Sequence, residues 1–506
     1  QGFPPTTNQN PELNLLPAHY HLKLCLPISK GGSTALSDIP SKPDVAIIGG
    51  GPGGYTAAIR LGQLNQEVVV IEREAIGGVC LNWGCIPTKA LYSVTEPLAK
   101  HKSWTKRGIE VGEPEIDLGK LRQSQNGVVD SLTSGVEKLI EANGGVVVEG
   151  EGTLHPGPEV KVVTGDGSEL TINPDSTILA TGSEPIAIPS FDFDNSWVWD
   201  SREALSLQHI PDDLLILGAG VIGLEMGTIF SRLGSEVRII EMEDQILPGL
   251  DIGRKIRSLL SRRLKQQGIK IPTGTKATNF AIEGGDPLVT AKDRQEGEMK
   301  EFWCDQVLMA VGRRPIKGAC EELDLEEDDS GFLVVDQRMQ TSREGIYAIG
   351  DLVGPPLLAH KASKEALVVA EAIAGGKDLA VGPIPSAIFT DPELAFVGTS
   401  RQTAREKGIE VQSGSFPMRA SGKAIAMDET DGMVNIVAHA DTGRILGGQI
   451  FSPHASDMIS EITLAIHNEL TVDDIADTIH PHPTLSEAVL EAAEHSEGRA
   501  INTLNR

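Results

Sequence analysis

The sequence predicts an α/β protein in which two similar strand-turn-helix units are followed by a smaller α+β region. The first observation is a repeat, because "DVAIIGGGPGGYTAAIRLGQLNQEVVVIERE" from residue 44 and "DLLILGAGVIGLEMGTIFSRLGSEVRIIEME" from residue 213 share one pattern. The second is the change near residue 386, after which short strands such as "SAIFT" and "GMVNIVAHA" precede the last helices. A chain of 506 residues, 40% of them hydrophobic, is long enough for about three or four domains.

The first unit has the features of a dinucleotide-binding fold. An apolar strand leads into Gly49, Gly51 and Gly54, which supply the G-x-G-x-x-G spacing, and an Ala-rich helix follows. In such a site the first glycine makes a tight turn, the second lets the backbone approach the pyrophosphate, and the third lets the helix pack against the strand. The next strand ends in Glu72, which is placed to accept a hydrogen bond from a ribose hydroxyl. We therefore predict a Rossmann-like domain here.

The second unit repeats these features at Gly218, Gly220 and Gly223, and its second strand is followed by Glu241. A protein with two such units can hold a flavin and a nicotinamide dinucleotide and pass a hydride between them. We expect FAD in the first unit and NAD in the second. A carboxylate favours the free 2′-hydroxyl of NAD, whereas the 2′-phosphate of NADP requires an arginine, and "IIEMED" contains none.

Two of the five cysteines, Cys80 and Cys85, lie in "GGVCLNWGCIPTKAL". A zinc site would need a second cluster of ligands, and the other cysteines are single, at Cys25, Cys304 and Cys320, so no metal site is expected. The alternatives are two buried, unreactive thiols or a redox pair. Because the segment follows the ribose acid of the first unit, it should lie close to the flavin, which favours a redox pair.

The spacing of the two cysteines constrains any bond between them. "CIPTKAL" has a helical pattern, and five residues of regular helix would separate the two Cα atoms by about 8.6 Å. A disulfide requires less than about 7 Å. The bond therefore requires a distorted helix, and a strained disulfide is more easily reduced.

This cysteine segment resembles the redox-disulfide motif of the flavoprotein disulfide reductases, and most of all that of the members that oxidise dihydrolipoamide. The likeness extends from residue 43 to about residue 500. Further stretches match in order, namely "ILATGSEP", "VLMAVGRRP", "IYAIGD", "LLAHKA", "FTDPELAFVG" and "HPHPTLSEAV".

The resemblance implies a role for each matching residue. Cys80 would be the interchange thiol that meets the substrate, and Cys85 the charge-transfer thiol against the flavin. Asp351 would hydrogen-bond the ribityl chain, and Lys89 would lie near the reactive edge of the flavin and pair with Glu225. The same matches assign Thr181, Gly182 and Ala359 to the FAD site, and Glu225 and Gly312 to the NAD site.

The motif "HPHPTLSEAV" supplies acid-base chemistry. Opening a mixed disulfide requires a thiolate, and an imidazole exchanges protons near neutral pH. His482 is the candidate base, and Glu487 would orient its ring and stabilise the imidazolium. His480 is nearby and could be mistaken for the base. The resemblance implies that His482 and Glu487 act on the cysteines of the other subunit of a homodimer.

The expected reaction is the oxidation of protein-bound dihydrolipoamide to lipoamide through a Cys80–Cys85 disulfide and FAD, with reduction of NAD. The expected partner is a lipoylated acyltransferase of a 2-oxoacid dehydrogenase complex or a lipoylated glycine-cleavage carrier. Alternatives are a glutathione-like or mercuric-like disulfide reductase and a non-catalytic flavin-binding subunit. Glu241 opposes the glutathione type, and the C-terminal "EGRAINTLNR" lacks the cysteine pair of the mercuric type.

Composition narrows the partners and divides the chain. With 44 basic against 71 acidic residues, the net charge of -27 opposes nucleic-acid or anionic-membrane partners and suits a basic docking module. The scattered cysteines favour a reducing, cytoplasmic location. The predicted segments are a loosely attached or disordered extension at 1–42, an FAD-binding domain at 43–185, an NAD-binding domain at 186–316, a central domain completing the FAD site at 317–385, and an interface (dimerisation) domain at 386–506.

Overall fold

The structure is a computed structural model that describes residues 39–157, 159–193 and 196–505. Most of the extension expected at 1–42 lies outside the described residues. Of its last four residues, Ile39 contacts the apolar cluster of the first sheet, and the carbonyl of Ser41 accepts from the amide of Asn173 at 2.8 Å.

The chain alternates strands and helices through its first two thirds. The strands are β1 (Val45–Ile48), β2 (Val68–Glu72), β3 (Val146–Leu154), β4 (Val160–Thr164), β5 (Glu169–Ile172), β6 (Ser176–Leu179), β7 (Ser183–Pro185), β8 (Val198–Trp199), β9 (Asp213–Leu217), β10 (Glu236–Ile240), β11 (Thr275–Glu283), β12 (Asp286–Asp293), β13 (Met299–Trp303), β14 (Gln306–Met309), β15 (Arg313–Pro315), β16 (Ile346–Ala348), β17 (Ser386–Ile388), β18 (Glu393–Gly398), β19 (Val411–Pro417), β20 (Met433–His439) and β21 (Ile445–Ser452).

The helices cover the faces of these sheets. They are α1 (Pro52–Gln63), α2 (Gly78–Trp83), α3 (Cys85–Lys106), α4 (Leu118–Ala142), α5 (Ser201–Ser206), α6 (Val221–Leu233), α7 (Arg254–Gln266), α8 (Ala359–Ala374), α9 (Arg401–Glu406), α10 (Gly422–Met427), α11 (Ala455–His467), α12 (Val472–Ala476) and α13 (Glu487–Ser496). Short 3-10 turns lie at Gly318–Cys320, Gly350–Val353 and Met418–Ala420. Among the described residues no helix is both long enough and apolar enough to span a bilayer.

The first sheet has the strand order β16-β6-β1-β2-β3-β4-β5. Its first five strands are parallel, and every residue of β1 is buried, as expected of a sheet covered by helices on both faces. Strand β16 follows the second unit in the chain but returns to the first sheet, and α8 then packs against α1. The later segment thus closes over the first glycine-rich turn.

The second unit is a parallel sheet of order β10-β9-β14-β8, accompanied by the antiparallel sheet β11-β12-β13. The antiparallel pair β7 and β15 stands where the chain enters and leaves this unit. The C-terminal region is an antiparallel sheet of order β17-β18-β21-β20-β19, with α11 against β18 and β21 and α13 against β19 and β20. The predicted fold class is therefore confirmed.

Candidate active site

The first glycine-rich turn is shaped by close backbone approaches. Gly49 has φ +107°, and a Cβ atom there would lie 2.3 Å from the carbonyl oxygen of Ala180. At Gly54 a Cβ atom would lie 1.8 Å from the carbonyl oxygen of Gly49, so only glycine lets the helix approach the strand this closely. Glu72 accepts from the amide of Gly50 at 2.6 Å through one carboxylate oxygen. The acid thereby fixes the turn, and its remaining lone pairs are available to a ligand.

One long cavity runs from this turn past the two cysteines to the loop that follows β16. Eight of the predicted FAD residues line it, namely Gly49, Gly51, Glu72, Lys89, Thr181, Gly182, Asp351 and Ala359. Gly54 does not, because it packs α1 against the turn from behind. Glu225, which was predicted for the NAD site, lines the same cavity together with Val221 and Ile222 at the start of α6.

The cysteine pair lies where one helix ends and the next begins. Cys80 is in α2, and Cys85 is the first residue of α3, with Gly84 between them at φ -140° and ψ -112°. A Cβ atom at Gly84 would lie 2.9 Å from the carbonyl oxygen of Val79. The helix is thus broken between the two cysteines, as a bond between them requires.

The two sulfur atoms are free thiols with different proton affinities. A hydrogen bond from Cys80, helped by the positive charge of Lys89, lowers the pKa of Cys85 to about 7 against the opposing effects of burial and Glu225. The same hydrogen bond and burial raise the pKa of Cys80. Near neutral pH Cys85 is therefore the thiolate of the pair and Cys80 the thiol.

The expected pair of Lys89 and Glu225 is present. Lys89 Nζ lies 2.8 Å from Glu225 Oε2 and 4.3 Å from the ring centre of Phe389. The other carboxylate oxygen of Glu225 accepts from the amide of Phe389 at 3.0 Å. The Glu225 side chain is only 7% exposed. This contact links the cysteine helix α3, the second unit and the C-terminal region.

Asp351 is held by residues that the sequence did not single out. Its Oδ2 accepts from the hydroxyl of Ser183 at 2.5 Å, and Arg313 Nε donates to that hydroxyl oxygen at 2.8 Å. Burial lowers the pKa of Arg313, and the charge of Asp351 opposes that shift. The sequence did contain a signal for these two residues, because Ser183 and Arg313 lie in the family-matching stretches "ILATGSEP" and "VLMAVGRRP", but neither residue was assigned a role.

A buried ion pair on α8 fixes the peptide before Asp351. Glu365 Oε2 accepts from the amide of Gly350 at 2.8 Å, and Lys361 Nζ donates to the carbonyl of Gly350 at 3.2 Å. The two side chains are 2.8 Å apart and at most 7% exposed. Lysine and glutamate four residues apart on the helix after "LLAH" were a signal that the sequence analysis missed.

The second glycine-rich turn repeats the first. Gly218 has φ +103°, with 2.5 Å between its ideal Cβ position and the carbonyl oxygen of Ala310. At Gly223 a Cβ atom would lie 2.0 Å from the carbonyl oxygen of Gly218, while Gly220 has open space. Glu241 is buried and accepts from the amide of Ala219 at 2.8 Å. Gly312 follows β14 with φ +129°, in the left-handed region that favours glycine.

His482 and Glu487 form the expected pair, with 2.8 Å between His482 Nδ1 and Glu487 Oε1. Burial raises the pKa of Glu487, but the amide of Thr484, at 2.7 Å, and the His482 ring outweigh it, so the pKa is lowered. The carboxylate thus stays ionised beside the imidazole. The His482 side chain is 79% exposed.

His480 is in a different environment. Its side chain is 5% exposed, with Nε2 2.9 Å from Glu461 Oε1 and Nδ1 2.9 Å from the carbonyl oxygen of Thr478. The hydrogen bond to Glu461 raises the pKa of His480. Both ring nitrogens are therefore occupied within the chain, whereas one nitrogen of His482 faces outward.

Within one chain the structure brings Cys80, Cys85, Lys89 and Asp351 to one cavity, but His482 does not line it. Among the described residues of one chain, the cavity therefore has a cysteine pair and a paired lysine, but no histidine lines it.

Comparison with known proteins gives consistent results. The family profile described as pyridine nucleotide-disulphide oxidoreductase matches residues 43–366, and that family's dimerisation domain matches residues 384–493. Dihydrolipoyl dehydrogenase from Halobacterium salinarum is 43% identical over 480 residues, covering 93% of this chain and 100% of that protein. The protein of that name from Haloferax volcanii is 44% identical over 481 residues, again covering 93% and 100%.

Solved structures agree. LpdA from Mycobacterium tuberculosis superposes with a TM-score of 0.82 at 26% identity, covering 90% of this chain and 99% of that one. The HOCl-induced flavoprotein disulfide reductase RclA from Escherichia coli gives a TM-score of 0.78 at 25% identity, covering 89% and 99%.

Proposed function

The chain belongs to the pyridine nucleotide-disulphide oxidoreductase family, and we propose that it oxidises dihydrolipoamide to lipoamide through the Cys80–Cys85 pair. FAD, when bound, accepts the electron pair from the reduced cysteines and passes it on to NAD as a hydride. The observation that carries the proposal is the broken helix at Gly84, which sets a thiol and a thiolate side by side in the flavin cavity.

The first unit fits FAD. A Cβ atom added at Gly51 would meet, within 4 Å, the Cα of Gly78 at 3.9 Å. This open space would let a pyrophosphate approach the backbone amides of the turn. Glu72 would bind a ribose, Thr181, Gly182 and Ala359 would line the flavin, and Asp351 would bind the ribityl chain. Lys89 would lie at the reactive edge.

The second unit fits NAD. Gly220 leaves its pyrophosphate position open, and Gly218 and Gly223 shape the turn. Glu241 would accept from the ribose 2′-hydroxyl, and Gly312 would leave room for the nucleotide near β15. Glu225 belongs to α6 of the second unit and lines the cavity of the first, which supports a place for it between the two dinucleotides.

The thiol chemistry is an exchange of sulfur-sulfur bonds. A dihydrolipoyl thiolate attacks Sγ of Cys80 in the oxidised pair, which forms a mixed disulfide, breaks the Cys80–Cys85 bond and leaves Cys85 as a thiolate. The second dihydrolipoyl thiol then loses its proton and attacks the substrate sulfur of the mixed disulfide. Lipoyl disulfide is released, and Cys80 leaves as a thiol after taking a proton.

We assign the proton transfers to His482, oriented and stabilised by Glu487. Its exposed ring supports action on the cavity of a second subunit, and the dimerisation domain at 384–493 supports a homodimer. A mixed dimer tests this assignment. Cys80→Ser and His482→Gln chains should each be inactive alone, but random co-assembly should restore about a quarter of the activity, because half of the dimers then contain one intact site. Action of His482 within its own chain would restore none.

The partner we propose is a lipoylated acyltransferase of a 2-oxoacid dehydrogenase complex or a lipoylated glycine-cleavage carrier. The net charge of -27 suits a basic docking module on such a partner. The cytoplasmic location stays a prediction from the cysteine content.

The direct experiment is an anaerobic titration of the purified flavoprotein with dihydrolipoamide, followed by turnover with NAD and with NADP. We expect long-wavelength absorbance from the Cys85 thiolate beside the flavin, and NADH formation in preference to NADPH. Cys304→Ser is the matched control, because that buried thiol belongs to the core of the second unit, away from the cavity, and should change neither. Flavin reduction by NADH without any response to dihydrolipoamide would contradict the substrate, and glutathione and mercuric ion would then be tested.

A further inference from the structure

An arginine reaches the acidic turn of the second unit from a distant part of the chain. Arg294, just after β12, donates from Nη1 to the carbonyl of Met242 at 2.9 Å. The same nitrogen lies 3.3 Å from Glu243 Oε1. The arginine that "IIEMED" lacks is thus supplied by the hairpin between β12 and β13.

The turn and the arginine are joined through the backbone as well. The amide of Glu243 donates to Glu241 Oε1 at 2.7 Å, and the carbonyl of Glu243 accepts from the amide of Gly274 at 2.9 Å. The carbonyl of Gly274 in turn accepts from the amide of Arg294 at 2.8 Å. Glu241, Glu243 and Arg294 therefore form one connected network at the proposed ribose end of the second unit.

We propose that Glu243 determines the preference for NAD over NADP by holding the guanidinium of Arg294. The inference rests on the proposed assignment of a nicotinamide dinucleotide to the second unit. In the protein as it is, Nη1 of Arg294 is engaged by Glu243 and a carbonyl, so the Glu243 carboxylate competes with a 2′-phosphate for the guanidinium. Removal of the Glu243 charge exposes a latent phosphate ligand.

Charge and geometry support this direction. Glu241, Glu243 and Asp244 place three carboxylates on the turn against the guanidinium of Arg294, so the turn opposes a phosphate. A guanidinium is the side chain best suited to bind phosphate oxygens in a bidentate manner. The side chains of Arg294 and Glu243 are 47% and 46% exposed, so solvent screens the pair and the expected effect is moderate.

The test measures the Kd of NADPH and of NADH for the FAD-loaded protein by fluorescence. Glu243→Gln should tighten NADPH binding by about fivefold and change NADH binding by less than about twofold. Glu283→Gln, at the far end of the β11–β12 hairpin, removes the same charge without touching the turn, and it should leave both constants unchanged.

The double variant Glu243→Gln with Arg294→Gln separates release of the arginine from simple loss of negative charge. The gain in NADPH binding should disappear in the double variant. A gain that persists there, or no gain in Glu243→Gln while NADH still binds normally, would overturn the inference. Failure of the unmodified protein to bind either nucleotide would instead overturn the proposed function.

Discussion

At Gly49 and Gly218 the two glycine-rich turns are nearly interchangeable. An added Cβ atom would meet a backbone carbonyl oxygen at 2.3 Å in the first turn and 2.5 Å in the second. In each, the acid after the second strand accepts from the amide that follows the first glycine, at 2.6 Å for Glu72 and 2.8 Å for Glu241. The repeated turn is therefore a backbone solution that the chain uses twice.

The surroundings of the two turns differ. The first is covered by α2, by the loop at Gly350–Val353 and by α8, all of which line one cavity with the cysteines. The loop and α8 follow the second unit in the chain, and α2 lies between β2 and β3. In the described part of the chain, the sheet of the second unit receives no such later strand. We infer that the same turn serves a cofactor that stays in the first unit and a nucleotide that exchanges in the second.

The largest effect that separates the units is expected from Cys85→Ser, which removes the thiolate at the start of α3, beside the first unit's cavity. Turnover with dihydrolipoamide should fall by at least about 10³-fold, because the pair acts as one unit. FAD content and NADH binding should remain, since neither glycine-rich turn is touched. The measurement is steady-state turnover beside the flavin spectrum, with Cys304→Ser, a buried thiol of the second unit, as control. Comparable losses in both variants would contradict the assignment.

Matched glycine substitutions test whether equal turns have unequal consequences. Gly49→Ala and Gly218→Ala create similar clashes at positive φ, each expected to cost about 3 kcal/mol locally. Gly49→Ala should yield protein without FAD and with lowered thermal stability. Gly218→Ala should keep its flavin but lose NADH binding.

Flavin absorbance and NADH titration measure the two outcomes. Gly220→Ala is the control for the clash itself. Its added Cβ atom would meet no protein atom within 4 Å, so this variant should weaken NADH binding without lowering thermal stability. Loss of FAD from both clashing variants would show that the second turn stabilises the whole molecule and that the comparison fails.

The repeat itself could be predicted from sequence, because glycine spacing and the terminal acid are local properties of each unit. The broken helix could be predicted too, since five residues of regular helix hold Cys80 and Cys85 too far apart for a bond. The support of Asp351 could not, because Ser183 lies 168 residues away and meets it only when β16 returns to the first sheet. The contact of Arg294 with the acidic turn could not be predicted either, because it also joins residues that are far apart in the sequence.

The buried pair on α8 sharpens the comparison, because it fixes the Gly350 peptide beside the first unit's cavity and lies outside the second unit. Lys361→Met leaves the buried Glu365 carboxylate without its cation, which should cost about 3 kcal/mol and loosen the Gly350 peptide. The Kd of FAD should rise by about tenfold while the Kd of NADH is unchanged. Both constants can be measured by titration of the flavin-free and flavin-loaded protein.

Glu371→Gln provides the matched control. It breaks another ion pair of α8, in which Arg60 Nε donates to Glu371 Oε1 at 2.9 Å, but neither residue lines the flavin cavity. It should lower thermal stability without weakening FAD specifically. An equal loss of FAD in both variants would mean that α8 acts only as packing.

The smallest effect concerns Lys89, whose ion pair with Glu225 joins α3 of the first unit to α6 of the second unit. Its charge helps lower the pKa of Cys85 to about 7, so the thiolate is present above that pH and is lost as the pH falls through it. In Lys89→Met combined with Glu225→Gln, which leaves no unpaired buried charge, the midpoint of the Cys85 titration should rise only slightly, because the lowering effect of Lys89 is lost together with the smaller raising effect of Glu225. Long-wavelength absorbance of the two-electron-reduced protein, recorded against pH, measures this midpoint.

Lys89→Arg should keep the midpoint near that of the unmodified protein, because it keeps the positive charge. A midpoint that moved in neither variant would assign the low pKa to the hydrogen bond from Cys80 alone, and the two units would then be joined by packing rather than by charge.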